Sequence, residues 1–550
     1  MTDPARTLAA VKRESLRIFD VEYEHLLLED GSELFLTAEG RKHEAHLHPE
    51  DLWGDAEWIA RRAVRLSGTS SVYRIRLQEG LEVVLKWNRM GQEIPGETHL
   101  MEGAENVVFN SPFEEFSLVQ ELERSVTGPD APRIQRPMAI YIHKSPSQPW
   151  ELGRDLTKIR KHEDIDLQLD KSYAVVYRWI HGSDVLQAFQ GGALDQARMN
   201  EETAAMDQRL AEAGYFVADR KPQHIILVDP RLEGEGPARG LVDFELLKRT
   251  ADHAARRNRQ RREAYLWRQV HRFDVRGGGL SPNLHQVEIL GVPYVWGNLE
   301  GSGSDLWVVG RDPGLFDYFR PEKWRKTDKV KLSAGGQTFF TTTKDDIKLV
   351  WKTSRVGEMP HLDFDTHREA VTFGFNSPFE EVAIALHFAK AGVPVVYPRA
   401  IFRSDNRTRI HELLFDPSRY ESHQDFVMPD GKPALRRDHS YITLWGYWNG
   451  TDNELSVSDA HHLYPINANL AFKYHHITDA ERHDLMASEQ ERLCKAGYED
   501  LNRKGSHLLL SLDEKKKILR DGEGRIALRY CNLGLVRGGS GEKKLISASA

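Results

Sequence analysis

Apolar positions along this chain alternate between two periods. In "AVRLSGTSSVYRIRLQEGLEVVLKW" (Ala63 to Trp87) they fall at every second residue on either side of Glu79-Gly80, which predicts two strands joined by a turn. "SPFEEFSLVQELER" then shifts to helical spacing. Ser111 is placed as N-cap, Pro112 at the first helical position and Glu114 three residues after the cap. "YAVVYRW" is an apolar run of strand length, and "MNEETAAMDQRLAEAG" predicts a helix that stops at Gly214. "HIILVDP" and "GLVDFELL" read as two short strands around a polar loop. The predicted class is α+β.

The same pattern is written twice. "FNSPFEE" runs from Phe109 to Glu115 and again from Phe375 to Glu381. Asn110 and Asn376 are as far apart as Lys86 and Lys352, or Leu66 and Leu332. The separation grows slightly at "SYAVVYRWIHGSD" and "SYITLWGYWNGTD", and again at "AGYFVADRKPQH" and "AGYEDLNRKGSH". Such a monotonic drift fits loop insertions in the second copy of a tandem duplication. "GSELFLT" and "GSDLWVV" place the starts near Gly31 and Gly303. The expected organisation is an N-terminal extension over 1–30, a first domain over 31–250, a basic helix and linker over 251–302, a second domain over 303–538 and a disordered tail over 539–550. The basic run "ADHAARRNRQRREAYLWRQVHRF" reads as a solvated helix face, and "DVRGGGLSP" as a breaker cluster.

Composition narrows the classes. The chain has 550 residues, 40% hydrophobic and 29% charged, which is globular composition. A mean hydropathy of -0.55 and the lack of a long uncharged apolar run argue against a membrane span, and the N-terminus does not read as a signal peptide. Two cysteines, Cys494 and Cys531, provide no disulfide framework and fit a reducing cytoplasm. A net charge of -8 offers no basic field for nucleic acid. "HEAHLH" lacks the i, i+4 histidine spacing of a zinc helix, and "DAHHLY" reads as ordinary polarity.

Phosphoryl transfer needs a lysine on the phosphate oxygens, carboxylates for a metal and an acid that orients the nucleophile. The first copy has these in order: Lys86 at the end of a strand, Glu115 on the following helix, Asp219 to His224 before a strand, and Asp243-Phe244-Glu245 after it. "ADRKPQHIIL" and "LVDFELL" resemble the catalytic loop and D-F-G segment of the protein-kinase-like superfamily, and "YRWIHGSD" resembles the hinge of small-molecule kinases. The resemblance implies two tandem bilobal kinase-like domains. It assigns Lys86 to the α- and β-phosphates with Glu115 orienting it. Asp219 becomes the residue that accepts the acceptor's proton, Lys221 a contact to the transferred phosphate, and Asp243 a magnesium ligand. Gly68, Ser70 and Ser71 stand where a glycine-rich phosphate loop would be. His224, at the place of a metal-binding asparagine, is the second metal-ligand candidate or else a hydrogen-bonded loop histidine. It resembles the lipopolysaccharide heptose kinases, as does Glu245 at the place of the glycine, which also resembles other small-substrate kinases.

After Asp243 the chain enters the basic stretch directly, which leaves no room for a peptide-binding platform and favours a small-molecule or glycoconjugate hydroxyl as acceptor. The second copy keeps Lys352, Glu381 and His507 but has Asn502 at the place of Asp219, and Cys531 aligns with Asp243. It reads as a pseudokinase that contacts the first domain and whose "SAGGQTF" turn still admits a nucleotide. The expected cofactors are ATP and magnesium. The alternatives are a non-catalytic pair acting as a nucleotide-sensing scaffold, and adenylyl rather than phosphoryl transfer.

Overall fold

A computed structural model describes residues 10–47, 61–66, 71–77, 80–94, 107–128, 130–148, 151–155, 158, 167–168, 170–274, 280, 283–299, 304–325, 327–333, 337–360, 374–407, 410, 412–450 and 464–538. Gly68, Ser70, the glycines of "SAGGQTF" and the tail lie outside them. The chain divides into two units, Met1–Arg257 and Asn258–Ala550. Both are mixed α and β, and each is built on an eight-stranded antiparallel sheet.

In the first unit the order across the sheet is Ala10–Ile18, Val21–Leu28, Glu33–Leu36, Pro137–Pro146, Lys171–Arg178, Glu82–Trp87, Val72–Arg76 and Ala63–Arg65. In the second it is Leu284–Ile289, Val292–Leu299, Ser304–Val309, Pro398–Arg407, His439–Gly446, Lys348–Thr353, Thr338–Thr342 and Lys329–Lys331. The repeat therefore extends further than its residues reveal. Residues assigned by sequence to an extension form two strands of the first sheet, and Leu284 to Leu299, assigned to a linker, form their counterparts. Strand pairing constrains only backbone and alternation, so these hairpins keep their place with little residue identity.

The strand period sorts the first sheet's two faces. Val84, Ile140, Val175 and Tyr177 pack with Phe113, Phe116, Val119 and Leu122 of the Pro112–Ser125 helix. Val83, Leu85, Ala139, Ala174 and Val176 pack on the opposite face. The helical-face cluster runs on into Met206 and Leu210 of the Gln196–Ala213 helix and into Ile225, Leu241 and Phe244. That helix ends at Gly214, whose φ of 89° is left-handed and where an added Cβ would lie 2.5 Å from the His253 ring.

The basic stretch is a helix, Ala251–Val270, in which Arg257, Arg261, Arg262 and Arg268 form ion pairs while Arg256 and Arg259 are exposed. Arg257 pairs with Asp20 at 3.4 Å, Arg261 with Asp345 at 2.6 Å and Arg268 with Asp312 at 2.7 Å. Among the described residues no helix is long and apolar enough to cross a membrane. Both cysteines are free.

Candidate functional site

The repeated heptapeptide explains how the site is assembled. Ser111 and Glu114 form the expected capping box, as do Ser377 and Glu380. The preceding asparagine has a second duty that sequence reading missed. Asn110 donates its backbone N–H to the Glu245 carbonyl at 2.9 Å and its side-chain amide to the carbonyls of Phe244 and Leu247 at 3.2 and 3.0 Å. Asn376 does the same to Gly534, Leu533 and Val536 at 2.8, 2.7 and 2.8 Å. The helix start is thereby tied to the loop after the Ile225–Leu241 hairpin. Its appearance in both copies was the available signal.

This tie also aligns the copies. Glu245 corresponds to Gly534 and Phe244 to Leu533, so Asn532 stands in the place of Asp243. The hairpin agrees, since Val242 and Cys531 both donate their N–H to the carbonyl of the loop histidine, His224 or His507. Cys531 was assigned to the place of Asp243 by sequence, and backbone register moves it one residue earlier. Likewise Ala218 and Leu501 both donate to the opposing loop, at Leu246 and Leu535, which places Asn502 with Asp219.

Lys86 lies on the same sheet face as Val84, because strand side chains alternate. It is 5% exposed. Its ammonium is ion-paired with Asp243 Oδ1 and with Glu245 Oε2, the latter at 2.8 Å. Burial opposes its charge, but the surrounding carboxylates hold it protonated well above the ordinary lysine range. Asp243 sits at a left-handed φ of 65° with its side chain 32% exposed. Burial works against its ionisation too, and Lys86 outweighs it, bringing the carboxyl below the usual range.

Glu115 differs from expectation. It makes no ion pair with Lys86 among the described contacts. Tyr177 donates its hydroxyl to Glu115 Oε1 at 2.7 Å, and Oε2 is buried without a hydrogen-bond partner. Burial raises this carboxyl to about 7. Glu245 is also pushed up by burial.

On the loop before the hairpin, Lys221 pairs with Asp219 at 2.7 Å. His224 Nε2 is 3.6 Å from Asp243 Oδ2, and its Nδ1 is buried without a partner. Burial, then the nearby lysines, lower its basicity against the pull of Asp243 and Asp219. The structure brings Lys86, Glu115, Asp219, Lys221, His224 and Asp243 near one another, with Tyr177 and Glu245 among them. Ser71 lies beside the Lys86 strand, its carbonyl accepting from Trp87 N–H at 3.4 Å.

Among the described residues no group of three or more His, Cys, Asp or Glu is arranged to hold a metal ion. Magnesium needs fewer protein ligands, one or two carboxylates with substrate phosphates completing the sphere. The part-open Asp243 carboxylate is a hard oxygen donor of that kind, and it fits better than the His224 imidazole.

The second unit is wired differently. Lys352 lies 3.2 Å from Glu381 Oε1 and donates to Asn532 Oδ1 at 3.3 Å. The Asn532 amide meets His507 Nε2 at 2.8 Å, and His507 Nδ1 meets Asp500 Oδ2 at 2.9 Å. Tyr530 also donates to Asp500. Asp500 takes the register position of Val217, opposite Val536 where Val217 is opposite Leu247. No family model matches this chain, and none of the curated proteins does.

Proposed function

We propose that the first unit is an ATP- and magnesium-dependent phosphotransferase of the protein-kinase-like type, acting on a hydroxyl of a small molecule or glycoconjugate, and that the second unit is a non-catalytic copy. The observation that carries this reading is the convergence of Lys86 from the sheet with Asp243, while Asp219, Lys221 and His224 come from the loop before the hairpin. A sheet layer above a helical layer, joined by the Pro112–Ser125 helix, is compatible with a bilobal kinase-like domain.

Each residue has a role that its surroundings support. Lys86, kept protonated by its carboxylates, is a donor for phosphate oxygens. Asp243, ionised and part-open, would hold magnesium. The bound cation would neutralise triphosphate charge. Asp219 is the group to orient an acceptor hydroxyl and take its proton, and Lys221 beside it offers charge to the transferred phosphoryl group. In the second unit Asn502 and Asn532 replace both carboxylates, and an amide neither takes a proton nor neutralises a cation.

Calorimetric titration of the intact protein with a non-hydrolysable ATP analogue tests this. The expected result is a site that requires magnesium and is lost in Asp243→Asn. Absence of binding at millimolar analogue would overturn the reading and leave a duplicated scaffold.

A further inference from the structure

We propose that Glu245, rather than Glu115, is the carboxylate that positions Lys86 for the nucleotide, and that Tyr177 enforces this choice by holding Glu115. The inference rests on the phosphotransferase reading for its ligand and on contacts within the chain for everything else.

Three observations carry it. Lys86 Nζ is 2.8 Å from Glu245 Oε2, and the Glu245 side chain is 8% exposed. Glu115 is turned to the Tyr177 hydroxyl at 2.7 Å. The third is an internal control, because the second unit lacks both devices. Trp445 takes the place of Tyr177, each opposite the matching valine and proline of its neighbours (Val350 and Pro398, or Val84 and Pro137), and an indole at that position offers no hydroxyl. Gly534 takes the place of Glu245. There the helix glutamate does reach the lysine, with Lys352 at 3.2 and 3.3 Å from the two oxygens of Glu381. The partner of the lysine thus changes together with one hydroxyl and two carboxylates, since Asn532 also stands in the place of Asp243.

The arrangement has a consequence for ligand entry. Lys86 holds both Asp243 and Glu245. When Asp243 turns to a cation, Glu245 keeps the ammonium in place. A lysine held only by Asp243 would lose its sole anchor in that step. Glu245 is therefore a positioning residue, acting on the ligand through Lys86.

The test uses full-length protein and two readouts. In titrations with the ATP analogue and magnesium, Glu245→Gln is expected to weaken binding about tenfold or more, as loss of a buried charge-assisted contact does, and to exceed the effect of Glu115→Gln. Adding Tyr177→Phe to Glu245→Gln is expected to restore most of the loss by freeing Glu115, a rescue that a purely structural role would not produce. The second readout needs no nucleotide. Thermal-melt cycles pairing Lys86→Met with Glu245→Gln should be non-additive by about 3 °C, more than cycles with Glu115→Gln, and the order should reverse in the Tyr177→Phe background. A larger effect of Glu115→Gln on both readouts, or absence of rescue, would overturn the proposal. Melt cycles in the expected order without any analogue binding would uphold the Lys86 anchor and refute the nucleotide reading instead.

Discussion

Lys86 and Lys352 occupy the same place in two sheets of the same strand order, yet one answers to the loop after the hairpin and the other to the helix. The second unit's network runs Glu381, Lys352, Asn532, His507, Asp500, and each neighbour in it has a partner of opposite hydrogen-bonding sense. The first unit leaves His224 Nδ1 and Glu115 Oε2 buried without a hydrogen-bond partner, and Glu245 Oε2 meets Lys86 at 2.8 Å as an ion pair without a well-directed hydrogen bond. A buried polar atom that no partner meets costs about 1–3 kcal/mol. The two copies share a frame and differ in its polar wiring. The hydrogen-bond chain around Lys352 is continuous, and the one around Lys86 is not.

The most severe way to break the contrast is to make the first copy read like the second. Asp219→Asn is expected to cut turnover by about 10²–10⁴-fold while nucleotide affinity falls far less, as loss of a proton acceptor does. Steady-state kinetics beside calorimetry would show the split, and equal losses in both would count against the assigned role.

The continuous network of the second unit should be expensive to open. Asp500→Leu strands the His507 and Tyr530 donors and the Asn502 N–H that meets Asp500 at 2.9 Å. Breaking such a buried polar set costs about 3–5 kcal/mol, to be read as a lower denaturation midpoint. A loss no larger than that of an exposed substitution would contradict it.

A pH series sharpens the contrast from the other side. Burial raises Glu115 to about 7, above its ordinary 4.5. The folded state then holds a proton that the unfolded chain has released, so stability falls as pH rises from about 4.5 to 7. Glu115→Gln should remove that slope. Its melting temperature relative to wild type is expected to climb across this window, by an amount equivalent to at most about 3 kcal/mol. A flat difference would show that Glu115 titrates normally.

The mildest change runs the other way. A Cβ added at Gly534 would sit 3.5 Å from Glu381 Oε1, ordinary contact distance, so Gly534→Glu has room for its first side-chain atom. It should draw Lys352 off Glu381, seen as a Lys352–Glu381 coupling reduced by about 1 kcal/mol in a double-mutant cycle.

Much of the frame was readable. Strand alternation, the Ser111 capping box and the stop at Gly214 are local rules, and the two helices and the Lys171–Arg178 strand appear where those rules put them, whereas Ala63 to Trp87 holds three strands rather than two and "GLVDFELL" is strand only at its two ends. The order of Lys86, Asp219 and Asp243 along the chain announced the cluster. What escaped was pairing across the fold. The hairpins at Ala10 to Leu28 and Leu284 to Leu299 share too few residues to register as copies. Cys531 was matched in place of Asn532 because insertions between the anchors leave a one-residue slip invisible until backbone bonds set the register.

By itself, then, the sequence determined the α+β class, the duplication and which residue types were available for charge chemistry, since these follow from period, capping and residue identity within a few positions. Tertiary structure alone decided which carboxylate meets Lys86. Glu115, Glu245 and Asp243 are all acids within one cluster, and nothing local ranks them. The ranking comes from a tyrosine hydroxyl on a neighbouring strand, from an asparagine tying helix to loop, and from burial that makes each unpaired charge costly.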